Sequence, residues 1–293
     1  MSPVRIALAV TVAAVTACSG PATSARSHVE AVPATYYLAL GDSLSQGVQP
    51  DRAGASVPTG QGYADQLYAM LHGSQPTLQL VKLGCTGETT ATMIHGGICH
   101  YRGGSQLAEA VAFLTAHRGH LVLVTIDIGA NDPEACGTAA SLRAVTACVG
   151  TNLPDAISNL GTILARLRAA AGPGVRIVGM SYYLPALAEW RNGTVGQGIA
   201  WLSERLAAGY NDLLERAYAD SGVRVANVFG AFETSDFGNE ATVPGIGTVP
   251  RNVALICQWT WACTSPPRGP NQHANQAGYG VIARAFLSAS GLS

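Results

Sequence analysis

The sequence predicts a three-layer α/β/α sandwich built on a five-stranded parallel sheet. Three observations carry this: almost wholly apolar runs of strand length recur along the chain, amphipathic segments of helix length separate them, and polar, often glycine-bearing turns follow them. Strands apolar on both faces belong to sheets covered on both sides. Their alternation with helices implies right-handed crossovers between parallel neighbours.

The strands are expected at 36–40, 78–83, 121–128, 175–180 and 223–228. A helix is expected after the first at 62–72, and after the second at 105–117, where Leu107, Val111 and Leu114 recur at three or four positions and mark a face that can pack on a sheet. The third is followed by a helix at 152–171 and the fourth by a longer one at 197–221. In the longer one Ile199, Leu202, Leu206, Tyr210, Leu213 and Leu214 predict the same core-facing stripe. A last helix is expected at 275–290. Long connections without predicted elements remain at 49–61, 86–104 and 229–270; loops of that length in a compact domain are usually functional or cross-linked.

Ahead of the first strand, one positive charge, a short apolar run at 6–15 and small residues read as a signal peptide over 1–17. The run is far shorter than the roughly 20 residues a membrane span needs. Val15-Thr16-Ala17-Cys18 resembles the lipobox of bacterial lipoproteins, which predicts a lipidated Cys18 and membrane attachment through it, with plain secretion after Ala17 as the rival. Residues 18–35, rich in Ser, Ala and Pro, read as a tether, and 36–293 as a single domain.

Of 293 residues, 48% are hydrophobic and 12% charged, which supports a large core. Seventeen Lys and Arg nearly balance 18 Asp and Glu, so no electrostatic footprint for nucleic acid or anionic lipid exists. A monomer acting on a small-molecule or lipid substrate is expected. Setting Cys18 aside, six cysteines remain, an even number that argues for disulfides in an exported chain. Their clustering favours Cys85 with Cys99, Cys136 with Cys148, and Cys257 with Cys263; no paired CxxC spacing points to zinc.

Ligands of open α/β sheets bind beyond the carboxyl ends of the strands, so chemistry should follow strands. Gly41-Asp42-Ser43-Leu44 follows the first, Gly84-Cys85-Thr86-Gly87-Glu88-Thr89-Thr90 the second and Gly129-Ala130-Asn131-Asp132 the third, while His273 precedes the last helix. These four segments, in this order, resemble blocks I, II, III and V of the SGNH (GDSL-type) serine hydrolases, and the likeness extends from Tyr36 to about Phe286.

The resemblance implies a flavodoxin-like topology and hydrolysis of carboxylic esters through an acyl-enzyme, exported and without metal or organic cofactor. Ser43 matches the nucleophile and His273 the general base. Gly87, Asn131 and the Ser43 amide match the oxyanion hole, with Gly84 as an alternative to Gly87. One position departs from the family. Where Asp commonly stands three residues before the histidine, this chain has Pro270, so a Ser-His dyad is predicted. A main-chain carbonyl of Pro270 or Asn271 is expected to orient the imidazole; the Asn271 side chain and Asp236 are poorer candidates.

Asp42 and Asp132 read as structural, bonding backbone amides rather than reacting. Trp190, Trp201, Trp259 and Trp261 could line an acyl or sugar site or pack in the fold. Rival functions are an acyltransferase or carbohydrate deacetylase using the same residues, and an inactive binding lipoprotein, motivated by the missing Asp. A flavodoxin-like cofactor binder is the remote third, since no glycine-rich phosphate cradle follows the first strand.

Overall fold

The computed structural model describes residues 33–134 and 142–292, with side chains for all but 134 and 142–150. The first half runs through β1 (Thr35–Gly41), the small antiparallel pair β2 (Gln49–Pro50) and β3 (Ser56–Val57), α1 (Tyr63–His72) and β4 (Leu78–Lys82). There follow α2 (Thr90–His95), α3 (Gln106–Ala116), β5 (Leu121–Asp127), the single turn α4 (Asn131–Glu134) and α5 (Leu142–Ala171). After β6 (Arg176–Met180), a 3₁₀ segment, Pro185–Asn192, leads into α6 (Gly193–Asp220). The chain closes with β7 (Arg224–Ala226), α7 (Val228–Ala231), the hairpin β8 (Glu240–Val243) and β9 (Gly247–Pro250), α8 (Arg251–Trp259) and α9 (Gln276–Ser290).

The five apolar runs form one parallel sheet in the order β4-β1-β5-β6-β7, the flavodoxin-like arrangement. Helices α1 and α9 pack together as one covering layer, and α3 packs with α5, and α5 with α6, as another. Strand interiors are consequently dry: Tyr37, Leu38, Ala39 and Leu40 of β1, and Leu123, Val124 and Ile126 of β5, are fully buried. Side-chain caps fix where helices start. Thr89, Ser105 and Asn275 accept from the backbone amides of Thr92, Ala108 and Gly278 at the heads of α2, α3 and α9.

The order reverses between β1 and β5, and that is where open sheets build sites. Their carboxyl ends are adjacent, with Gly41 opposite Asp127.

Several expectations are corrected. The stretch 229–270 is not an open connection but holds α7, the hairpin and α8, and α2 occupies part of 86–104. α5 begins ten residues earlier than expected and runs through the exposed Pro154. In α6, Leu214 is buried and Tyr210 packs on the core, but Ile199, Leu202, Leu206 and Leu213 face outward rather than onto the sheet.

Cys85 is bonded to Cys99, and Cys257 to Cys263. The third expected pair, Cys136 with Cys148, lies outside the described residues, as do Cys18, the signal peptide and most of the tether. Opening the 14-residue Cys85–Cys99 loop should cost about 3 kcal/mol in a chain-entropy account. Calorimetry with and without reductant is expected to show a lower melting temperature when reduced; superimposable curves would show that the bridges do not stabilise the fold.

Candidate active site

At the end of β1 the chain turns sharply over β5. Gly41 adopts φ 125°, and a Cβ there would fall 2.0 Å from the carbonyl oxygen of Asp127, so only glycine fits. The turn beyond it is held from below by one fully buried carboxylate. Asp127 Oδ2 accepts from the amides of Asp42 and Ser45, each at 3.2 Å, and Oδ1 accepts from the Tyr63 hydroxyl. Burial, with the nearby Asp42 adding to it, pushes the Asp127 carboxyl well above the usual range. Asp42 itself accepts from the amide of Leu44 at 2.9 Å. It holds the turn, as its sequence position implies.

A second brace was not legible in the sequence. The buried Gln106, on α3, accepts from the Gly41 amide at 2.7 Å and donates to the Gly41 carbonyl at 2.9 Å and to Glu88 Oε2 at 3.0 Å. One side chain therefore ties the end of β1 to the loop after β4.

His273 reaches the same point from far along the chain. Its Nε2 lies 3.0 Å from Ser43 Oγ, and its Nδ1 lies 2.8 Å from Asn271 Oδ1. The amide of His273 also donates to Asn271 Oδ1, at 3.0 Å, while Asn271 Nδ2 donates to Ser56 Oγ at 3.0 Å. An atom that receives a backbone N–H must be the amide oxygen, so the rotamer is fixed and Nδ1 must carry the proton. Nε2 is left with its lone pair toward Ser43. This corrects the expected main-chain carbonyl: the Asn271 side chain orients the imidazole. Asp236 is spent elsewhere, on the amides of Gly238 and Asn239.

The His273 loop is itself clamped. The Trp261 amide donates to the His273 carbonyl, the Asn271 amide donates to the Trp261 carbonyl, and the Tyr183 hydroxyl donates to the Gln272 carbonyl. Trp261 lies within the loop closed by the Cys257–Cys263 bridge. Loss of solvation pushes the buried imidazole down to about 4.

Ser43 and His273 open onto a cavity of about 380 Å³ that Asn131 also lines, with Leu153, Leu184 and Leu206 in its wall. Asn131, at the head of α4, donates from Nδ2 to the Glu88 carbonyl at 2.8 Å. An amide nitrogen carries two hydrogens, so this bond uses one of them.

The sequence matches the profile of the GDSL-like lipase/acylhydrolase family over residues 39–281. The chain belongs to that family. Among solved structures, this acylhydrolase is similar to an extracellular lipase from Streptomyces rimosus (TM-score 0.56, 19% identity, covering 87% of this chain and 100% of that one). It is also similar to phospholipase A1 from Streptomyces albidoflavus (0.55, 21%, 88% and 100%). A third is an acetylxylan esterase from Geobacillus stearothermophilus (0.54, 15%, 88% and 95%). At these identities the likeness is one of fold. Among curated proteins, none matches the chain.

Other candidates of the acylhydrolase fall as follows. Gly87, with φ 82°, is exposed beside Glu88, whose carbonyl meets Asn131. Gly84 is a packing glycine, since a Cβ there would meet Ser45 Oγ at 1.8 Å. Asp132 accepts from the amide and hydroxyl of Thr90, joining the two loops. None of the four tryptophans lines the Ser43 cavity; Trp190 packs on Phe237 and Trp259 on Phe232. Among the described residues, no group of three or more His, Cys, Asp or Glu side chains is gathered as a metal site.

Proposed function

We propose that the protein is an exported serine esterase in which Ser43, His273 and Asn271 act as a hydrogen-bonded triad. The observation that carries this is the chain of contacts from Ser43 Oγ through the imidazole to Asn271 Oδ1, at 3.0 and 2.8 Å. Neutral His273 takes the Ser43 proton as Oγ attacks the acyl carbon, then returns it to the leaving alcohol. The amides of Ser43 and Gly87 and the free N–H of Asn131 receive the oxyanion. Water, deprotonated by the same imidazole, releases the acid. No metal or organic cofactor enters these steps.

Asn271 meets the need that the absent Asp left open, so the reading as an inactive binder loses its motive. It fixes the tautomer without supplying charge. The apolar wall of the cavity favours acyl groups longer than acetyl, and the two disulfides support an oxidising compartment reached through the leader at 1–17. A panel of nitrophenyl esters from acetate to palmitate tests the reading: turnover is expected, highest beyond acetate. No turnover with any member would contradict it.

The pH profile is informative. A base must be unprotonated, so kcat/KM should hold down to the low pKa of His273, about 4, and fall below it. In Asn271→Asp a carboxylate facing Nδ1 favours the imidazolium, and the acid limb should move up by about 1–2 pH units. Asn271→Ala should lower kcat by about tenfold or more, because the ring loses its orienting acceptor. An unmoved limb in the aspartate variant would show that position 271 does not face the base.

A further inference from the structure

The outward face of α6 carries the apolar period of a core helix. At about 100° per residue, Val195, Ile199, Leu202, Leu206 and Leu213 fall within about 60° of arc. All are exposed, from 39% at Leu213 to 77% at Val195. No Asp, Glu, Lys or Arg occurs from 193 to 203. Solvated helix faces are polar, and a continuous apolar patch marks a contact.

Continuity with the cavity identifies what makes that contact. Leu206 belongs to both stripe and cavity, and Ser203, Ala207 and Tyr210 of the same helix line the cavity beside it. A hydrocarbon phase along the stripe would run on into the space above Ser43, whereas a protein seated there would obstruct its mouth. The flank fits the same surface: Trp201 is half exposed, and the Arg205 guanidinium lies 4.7 Å from its ring centroid, a pairing suited to headgroup depth. α6 is also fastened to the site. The Tyr210 hydroxyl donates to the Gly129 carbonyl at 2.7 Å, and the Asn211 side chain bonds both the amide and the carbonyl of Tyr182.

We propose that this face of α6 docks on the surface of a zwitterionic lipid aggregate and passes an acyl chain from it into the Ser43 cavity. The docking stands on the stripe alone; the delivery of substrate rests on the esterase reading. The helix would lie in the interface, since among the described residues no helix is long and apolar enough to cross a membrane.

The test uses phosphatidylcholine vesicles and the variant Val195→Gln, Ile199→Gln, Leu202→Gln, none of whose positions lines the cavity. In a Ser43→Ala background, which binds without turnover, sedimentation should show at least tenfold weaker vesicle partition for the variant. With Ser43 present, the variant should keep its activity on dissolved nitrophenyl acetate and lose at least tenfold on an ester embedded in the vesicles. Equal partition of variant and parent, or no partition of the parent, overturns the proposal. So does a parent that self-associates while the variant is monomeric, which would assign the face to a second copy. If dissolved ester is not hydrolysed at all, the esterase reading fails, and sedimentation still decides the docking.

Discussion

Replacing Ser43 by Ala is expected to remove essentially all ester hydrolysis, a loss on the order of 10⁴-fold or more in kcat, with the melting temperature nearly unchanged. In the proposed mechanism the hydroxyl is the atom that bonds the acyl group, and it lies 3.0 Å from the His273 imidazole. His273→Ala should cost about as much, because a serine hydroxyl without its base is a poor nucleophile at neutral pH. If the two act as a unit, as proposed, the double variant should be little worse than either alone. Steady-state kinetics on a nitrophenyl ester, with calorimetry on each variant, checks both statements. Additive losses would mean that the pair does not share one proton transfer.

The second large effect is expected at Asn131. Its Nδ2 anchors the Glu88 carbonyl with one hydrogen, and the residue lines the cavity. In the proposed mechanism an oxyanion forms only on the way to the tetrahedral intermediate, so a hydrogen directed at it would stabilise the transition state more than bound ester. Asn131→Ala should therefore lower kcat by about 10²–10³-fold while leaving KM within a few-fold. Loss of the anchor to Glu88 adds a modest destabilisation, about 1 kcal/mol for one hydrogen bond. A rise in KM with kcat preserved would place Asn131 in ground-state binding instead.

The sheet was legible because its signal is local: strands buried on both faces are mostly apolar, and the runs in β1, β5 and β6 are, with Thr125 and Asp127 as polar exceptions inside β5 and Arg176 at the exposed start of β6. The helices around it were less so. Thr89 does cap α2 and Pro250 does precede α8, but both helices are short and lie in stretches whose glycines and cysteines read as loop. α6 begins four residues before the expected start; Gly193, Gly196 and Gly198 lower helix propensity and so hide its first turn from the sequence pattern. Packing demands one of them, since a Cβ on Gly196 would fall 2.0 Å from the Glu189 carbonyl oxygen. Periodicity marks a stripe on α6 and predicts that it faces the core, but only Leu214 and Tyr210 do, while Ile199, Leu202, Leu206 and Leu213 are exposed.

At the site, the sequence named Ser43, His273 and Asn131, which the fold brings to one cavity, because each follows or precedes a well-marked element. The orienting group differs from the one the sequence favours. The family pattern points to the third residue before His273, whereas an Asn two residues before it turns its oxygen back in an Asx-turn onto the His273 amide and so also meets Nδ1. Asp127 and Gln106 carry no motif at all. They are interior polar residues whose partners lie on other elements, and only the assembled fold shows that they hold the turn that carries Ser43.

The most direct test is to treat the protein with an organophosphonate ester probe and locate the adduct by peptide mass spectrometry. A single stoichiometric adduct on Ser43, formed much more slowly in His273→Ala, is the predicted result. A protein left unlabelled, or labelled at another residue with Ser43 untouched, would contradict the account.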